Sequence, residues 1–549
     1  RNGMHKYNNA DHSMLCSMVA VDNIVAGVTA KANLWAINTE QEYHEEKTHE
    51  EVQLGQPVSH QKAPLGEPSF ADFLWGTRRR RAFLIFAGVA FLVQFLVFKF
   101  LYPFANYMPD SYAYIEAAAR NLDVNMWPVA YSKFLRVFSS FTHSDTLLVG
   151  FQYFFMQLSG FYFLFSSLYL FKPGKIITII LVIFFLFNPL PLYLSNYISA
   201  DALFTSLSFL WLAQLFWIIC RPKPWMILSQ AVLLLLCFTV RYNAIYYPLI
   251  AAQAFILSRQ KIWMKGAGIA LGSVLVLFSI FYTSNKMKDE TGKRQFSAFG
   301  GWQMANNALY MYEQIPASQR GPIPARFAKL EGMVRQHMDT LKKVKFTKED
   351  SITNYFYLWS GKGPLIQYMT KEWSKDTTTP YFKKWASEGP LYQEYAFWLI
   401  KKYPIKFVEA FLWPNALKFA VPPLEFLGVY NMGGDSVGRM VKEWFNYKSH
   451  KVKNYYKDHK TNSIQWYPVF SSLVNIFLLI SLIGFLSFQG VKKAGPFFSN
   501  ILLIVLSIWL INFGFSVLAS PIVLRYQVIP VAICFIFSVM SIRYVDLKE

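Results

Sequence analysis

The sequence places a carboxylate directly after an apolar run, in the segment ANYMPDSYAYIE at 105–116. The preceding run, residues 83–104, is long enough to cross a bilayer, so Asp110 is predicted within a few residues of a membrane surface. A carboxylate there could act as a general base toward a lipid-embedded substrate. It could equally cap the helix predicted for DSYAYIEAAARNL.

Three more charged residues occupy similar positions at the ends of apolar runs. Asp201 opens ADALFTSLSFLWL, Arg241 follows one apolar run and Arg525 precedes another. A single arginine at a membrane boundary usually reaches toward headgroups, and Asp201 could be a helix cap. Two arginines beside two carboxylates favour a site, because the planar guanidinium fork binds phosphate well and polar groups at membrane depth are costly.

The elements that would position these residues are predicted to be membrane-spanning helices. The chain has 549 residues, of which 54% are hydrophobic and only 16% charged. We predict an all-α polytopic membrane protein with about ten spans. The predicted spans are 82–103, 146–171, 176–194, 202–220, 226–241, 244–258, 267–284, 468–489, 497–519 and 522–541.

The basic clusters predict how these spans are oriented. TRRRR (77–81), KPGK (172–175) and RPKP (221–224) fall in alternate connections, as do SRQK (258–261), VKK (491–493) and the carboxyl-terminal IRYVDLKE. By the positive-inside rule this common side is cytoplasmic, together with both termini, in a cell inner (plasma) membrane. Asp110, Asp201, Arg241 and Arg525 then share the extracytoplasmic side.

Four regions follow from this pattern. Residues 1–76 are predicted to be a poorly ordered cytoplasmic tail, and 77–284 an amino-terminal transmembrane module with a first outer loop at 105–145. Residues 285–467 form a mostly helical extracytoplasmic segment, and 468–549 carry the last transmembrane helices. The GG pair at 300–301 in the long segment is interpreted as a turn.

Charge and cysteine content narrow the function classes. The net charge of +21 comes largely from loops between spans and from the 285–467 segment. We expect the basic surface of that segment to meet anionic lipid or a lipid phosphate, and we expect no nucleic-acid partner. Cys16, Cys220, Cys237 and Cys534 show no CxxC or Cys/His spacing. They are interpreted as packing residues, and the sequence predicts no metal site or other cofactor, with metal dependence left open.

The order of these features resembles the GT-C superfamily of integral membrane glycosyltransferases. The matching pieces are PDSYAY after the first span, NP in the third, SADALF opening the fourth, RY after the fifth and LRYQVIP at the last. The chain is most similar to the subgroup of protein O-mannosyltransferases and lipid A aminoarabinose transferases. One departure is Ser111, which follows Asp110 where many relatives have a second acidic residue.

The resemblance implies a hexosyl- or pentosyltransferase of the cell envelope that takes sugar from a polyprenyl-phosphate donor. The acceptor is a hydroxyl of a lipid, glycan or protein, and transfer inverts the configuration at the anomeric carbon of the sugar. Asp110 is implied as the general base, while Arg241 and Arg525 hold the donor phosphate. Asp201 or Glu116 supplies the second carboxylate. The predicted substrate-binding residues are Tyr114, Glu116, Asp201, Arg241, Tyr242, Arg525 and Tyr526.

Two other functions stay open from the sequence. One is a transporter or flippase of lipid-linked glycans, for which paired broken helices and acidic residues within spans would be typical. The other is an O-antigen ligase-like membrane protein. The polar residues gather at one face and the spans carry little charge, which favours chemistry at the membrane surface.

Overall fold

The computed structural model describes residues 68–341, 355–455, 459–519 and 521–545, together with Val21, Asn23 and Val25. The chain divides into two units, Arg1–Glu67 and Pro68–Glu549, and all the helices given below belong to the second. The predicted tail 1–76 thus lies mostly outside the described residues. Its last part corrects the prediction, because Phe70–Trp75 form a helix, α1, whose start carries a capping box between Ser69 and Asp72.

The regular elements of the described ranges are all helical, and strand-like pairing there is limited to isolated bridges. Helices α2 to α11 make up the amino-terminal part. Their bounds are Arg78–Leu101, Pro109–Ala119, Ala130–Ser139, Asp145–Phe171, Lys175–Phe187, Leu190–Asn196, Ala200–Cys220, Met226–Val240, Tyr247–Leu257 and Ile262–Thr291.

Helices α12 to α19 follow in the long segment, and α20 to α22 end the chain. The first group comprises Ala298–Tyr312, Ala328–Leu341, Phe356–Trp359, Pro364–Glu372, Tyr381–Lys402, Pro404–Phe407, Trp413–Ala420 and Arg439–Trp444. The last three are Tyr467–Ser487, Gly490–Ala519 and Val528–Ser541. In α21 a kink at Gly495, whose φ is +73°, precedes Pro496.

Among the residues that the structure describes, seven helical stretches are long and apolar enough to cross a membrane. They are Arg78–Leu101, Asp145–Phe171, Lys175–Asn196, Ala200–Cys220, Ile262–Thr291, Asn462–Ser487 and Gly490–Leu518. The three other predicted spans also fall on helices, but α9, α10 and α22 have only 15, 11 and 14 residues. The protein is therefore an α-helical polytopic membrane protein.

Most of the basic clusters meet at one end of the helices. The Arg221 guanidinium donates to the Tyr169 hydroxyl at 2.7 Å, and Arg543 donates to the carbonyl of Lys172 at 2.7 Å. At the same end Arg80 lies over the ring of Phe73. Contacts among α1, α2, α5 and the residues that follow α5, α8 and α22 thus lie at the end of the bundle opposite the acidic residues considered below.

The long segment divides between two cores. Its first part, α12 to α17, packs around Trp302 and Trp385, whose rings stack at 5.0 Å. From Leu424 to Ile464 the chain instead joins the core of the membrane helices. The turn predicted at 300–301 is wrong, because Gly301 lies inside α12, where a Cβ would meet the carbonyl oxygen of Gly389 at 1.9 Å. Gly301 therefore serves close helix packing.

Candidate functional site

Arg525 lies at the centre of a group of buried charges contributed by distant parts of the chain. Its Nη1 is 3.3 Å from Oδ2 of Asp110 and 3.3 Å from Oδ2 of Asp201. Its Nε donates to Oε2 of Glu425 at 2.9 Å. Arg241 pairs with the other carboxylate oxygen of Asp201. We call Asp110, Asp201, Arg241, Glu425 and Arg525 the charge cluster.

Asp110 lies in the first turn of its helix and faces Arg525. Helix α3 starts with Pro109, and the Oγ of Ser111 accepts from the backbone N–H of the N-cap residue Met108 at 3.1 Å. The negative charge of Asp110 suits the helix dipole at this position. Ser111, the departure from the resembled pattern, thus bonds to the backbone at the start of α3 and does not join the group of charges around Arg525.

Asp201 bridges the two arginines. Ser199 is the N-cap of α8, and its hydroxyl donates to Oδ2 of Asp201 at 2.9 Å. The carboxylate is 2% exposed, and its two oxygens face Arg241 and Arg525 respectively. A buried carboxylate needs such partners, because an unpaired charge in the interior is strongly unfavourable.

Both arginines also contact the ring of Tyr526. The guanidinium of Arg241 lies 4.3 Å and that of Arg525 4.6 Å from the ring centroid. A tyrosine face attracts cations through its quadrupole. Arg525 also lies beside three carboxylates, those of Asp110, Asp201 and Glu425, which compensate the burial of its guanidinium group.

Glu425 is the member of the cluster that the sequence did not predict. It begins a short turn after α18, its φ is +53° and its side chain is 3% exposed. A non-glycine residue in the left-handed region is uncommon, so the backbone here is strained to direct the carboxylate at Arg525. The sequence signal was a single acidic residue in the apolar stretch FAVPPLEFLGVY.

Opposing influences act on the carboxyl group of Glu425. Burial raises its pKa and the charge of Asp110 adds to that effect, whereas Arg525 and the hydroxyl of Tyr355 oppose it. The Oε1 atom of Glu425 is buried without a hydrogen-bond partner. With three carboxylates and two guanidinium groups, the fully ionised cluster carries one surplus negative charge.

Asn106 connects, through hydrogen bonds, the segments that carry Asp110, Asp201 and Glu425. Its N–H donates to the carbonyl of Asn196 at 2.8 Å, and its carbonyl accepts from Ile198 at 3.1 Å, just before α8. Its side-chain oxygen accepts from the N–H of Asn431 at 2.7 Å. The turn of Arg525 is fixed in the same way, since Leu524 donates to the carbonyl of Pro423 at 2.9 Å.

The remaining predicted residues fall at or beyond the edge of the cluster. Burial raises the pKa of Tyr114, whose hydroxyl is close enough to feel the charges of Arg241 and Asp110. Glu116 instead pairs with Arg120 on an exposed face. Tyr242 packs against Phe296, with ring centroids 4.3 Å apart. Neither Glu116 nor Tyr242 joins the charge cluster.

Exposure separates an accessible part of the cluster from a supporting part. The side chains of Asp110 and Arg241 are 18% and 14% exposed, whereas Arg525 is 5% exposed. A ligand can therefore reach one carboxylate and one guanidinium, while Arg525, Asp201 and Glu425 lie behind them. In the ranges that the structure describes, no group of three or more His, Cys, Asp or Glu side chains is placed to hold a metal ion.

Comparison with known proteins does not identify a family for this chain. The sequence matches no protein-family model and no curated protein, and no solved structure matches either.

Proposed function

We propose that this protein is a glycosyltransferase that moves a sugar from a polyprenyl-phosphate donor to an acceptor hydroxyl, with inversion. The observation that supports this most is the convergence of Asp110 and Arg241 at helix ends, around the buried Arg525. A partly accessible carboxylate near a partly accessible guanidinium suits a reaction that removes a proton from one reactant and stabilises negative charge on the other.

Asp110 acts as the general base in this proposal. Its carboxylate accepts the proton of the acceptor hydroxyl as the acceptor oxygen forms a bond to the anomeric carbon of the sugar. The bond between that carbon and the phosphate oxygen breaks on the opposite face, and polyprenyl phosphate leaves with one more negative charge. The acceptor is a hydroxyl of a lipid, glycan or protein.

Arg241 binds the donor phosphate, because it is the more exposed of the two guanidinium groups. Its fork then exchanges part of its contact with Asp201 for phosphate oxygens. Arg525 has a different role from the one implied by the family resemblance. It already serves three carboxylates, so it positions Asp110 and Asp201. Tyr114 and Tyr526 border the bound substrates.

The membrane arrangement belongs to the same proposal. All ten predicted spans cross the bilayer, with α9, α10 and α22 reaching across through their neighbouring turns. The basic end of the bundle faces the cytoplasm with both termini, as the positive-inside rule predicts. The charge cluster then opens on the extracytoplasmic side of the inner membrane, where the 285–467 segment covers it.

A transfer assay with one matched pair of variants tests the proposal. The purified protein is reconstituted in vesicles with a panel of polyprenyl-phosphate sugars labelled in the sugar, and release of polyprenyl phosphate is followed. Asp110→Asn should lower turnover by about 100-fold or more, the range general-base catalysis supplies. Asp123→Asn is the control, because Asp123 is half-exposed and pairs only with surface lysines.

Equal turnover by Asp110→Asn and wild type would show that Asp110 is not the general base. The competing transporter or flippase function predicts another result: labelled donor would cross the vesicle membrane intact, with no polyprenyl phosphate released. An O-antigen ligase-like protein would act on donors carrying a longer glycan and leave single-sugar donors uncleaved.

A further inference from the structure

A continuous helical stretch in the long segment exposes apolar side chains where a water-facing helix would expose polar ones. It runs through α17, a π-helical turn at Val408–Leu412 and α18. Its outward face carries large apolar residues, which we call the apolar stripe: Ile405, Val408, Trp413, Leu417 and Val421.

The opposite face of this stretch is fixed to the protein. Phe407, Phe411, Asn415 and Phe419 are buried at the spacing expected of one helix face. Surface helices of soluble proteins place apolar residues inward and polar residues outward. Here both faces are mainly apolar, as expected for a helix with protein on one side and hydrocarbon on the other.

The position of the stripe beside a membrane helix identifies what the outward face meets. Phe419 packs edge-on against Phe513 of α21 at 5.1 Å. Asn415 donates to the carbonyl of Val517 near the end of the same helix at 3.3 Å. Leu510 and Leu518 of α21 are also exposed. The stripe therefore extends the apolar surface of a candidate span at that span's end.

We infer that the apolar stripe lies in the interfacial layer of the leaflet next to the charge cluster, with its side chains among lipid acyl chains. Trp413 suits the headgroup boundary, where amphipathic rings accumulate. Lys406, on the flank, pairs with Glu409 at 2.8 Å and keeps its charge toward water. This inference stands apart from the proposed transferase activity.

The inference gives the stripe a structural consequence for the site. Pro422 and Pro423 connect Val421 to Glu425, and the short turn that follows carries the carboxylate bound by Arg525. Proline fixes φ and limits the freedom of such a connection. Only Pro422, Pro423 and Leu424 therefore separate the apolar stripe from the carboxylate that Arg525 binds.

Spin labels on the intact protein in nanodiscs test the inference. A background with Cys16 and Cys220 replaced by Ser keeps the buried Cys237 and Cys534. Labels are then placed by Leu417→Cys and, as a water-facing control, by Arg326→Cys, whose side chain is 62% exposed. Collisions with oxygen, which concentrates in lipid, are compared with collisions with a water-soluble nickel chelate.

We expect the label at position 417 to favour oxygen over nickel, and the label at 326 to show the opposite order. Equal nickel access at both positions would overturn the inference. Low access to both reagents at 417 would also overturn it, since it would indicate a second copy of the chain on this face. If Leu417→Cys fails to fold, Ile405→Cys reports on the same stripe from its more exposed end.

Discussion

Replacing Glu425 by Gln or by Ala separates two roles for this buried carboxylate. Glutamine keeps the size of the side chain and an oxygen that can accept from Nε of Arg525, which donates to Glu425 at 2.9 Å. It removes only the charge, and the fully ionised cluster has one surplus negative charge. We therefore expect the free energy of unfolding of Glu425→Gln to lie within about 1 kcal/mol of the wild-type value.

Alanine leaves Nε of Arg525 without an acceptor in a site where the side chain is 5% exposed. Arg525 keeps Asp110 and Asp201, so the loss corresponds to one hydrogen bond to a charged group. That loss costs roughly 1.5–3 kcal/mol. Thermal unfolding in one detergent, at one scan rate, should rank wild type and Glu425→Gln together and Glu425→Ala clearly below them.

The pH dependence provides an independent reading of the same variant. Because burial raises the pKa of Glu425, the folded protein holds its proton after the unfolded chain, with a Glu pKa of 4.5, has lost it. The unfolded state then binds fewer protons, so the stability of wild type should fall as pH rises above about 4.5. Glu425→Gln should lack this part of the fall. A Gln variant as unstable as the Ala variant would show that Arg525 needs the charge, and would refute the reasoning.

Two further variants test the arginines and their shared ring. Arg525→Lys keeps a charge but cannot reach three carboxylates at once. The rate of transfer should therefore fall by about tenfold or more, which corresponds to the loss of one such contact. Wild-type turnover would show that the guanidinium fork is not needed. Tyr526→Phe keeps the ring face that both guanidinium groups contact and should stay close to wild type, whereas Tyr526→Ala should lower transfer. Equal loss in both Tyr526 variants would assign the role to the hydroxyl.

The polar ends of the apolar runs were the strongest guide that the sequence offered. Asp110, Asp201, Arg241 and Arg525 are charged residues where a membrane helix begins or ends, and the structure brings all four together. Their convergence could be expected because residues at the same ends of packed helices lie near one another. The pairing of individual atoms could not be expected, because it depends on side-chain contacts such as the hydrogen bond from Ser199 to Oδ2 of Asp201.

The residues that fall outside the charge cluster, and the one that the sequence did not predict, have geometric explanations. Glu116 lies six residues after Asp110, which turns it about 240° around the same helix and away from Arg525. Tyr242 follows Arg241 at the break after α9, and its ring packs against Phe296 instead. Glu425 lies in a segment with little periodicity, and its position depends on a left-handed backbone that a glutamate seldom adopts.

The positions of the helices were predicted better than the residues at which they begin and end. In the described ranges, apolar length identified every stretch that the structure folds as a long apolar helix. However, α9 ends at a break near Arg241, α10 ends near Ser258, and α22 begins only after a break near Arg525. The packing of Gly301 against Gly389 was missed because two glycines in sequence also suit a turn. Only the tertiary contact distinguishes the two uses.

Binding of the leaving group tests the central claim most directly, because polyprenyl phosphate is released whatever the sugar or acceptor. Native mass spectrometry would compare polyprenyl phosphate with polyprenol of the same length on wild type, Arg241→Gln and the control Arg120→Gln, whose arginine is 67% exposed. The account predicts at least about tenfold tighter binding of the phosphate by wild type and the control, the equivalent of one charge-assisted hydrogen bond. Arg241→Gln should bind both lipids alike. Equal binding of the two lipids by wild type, or an unchanged preference in Arg241→Gln, would contradict it.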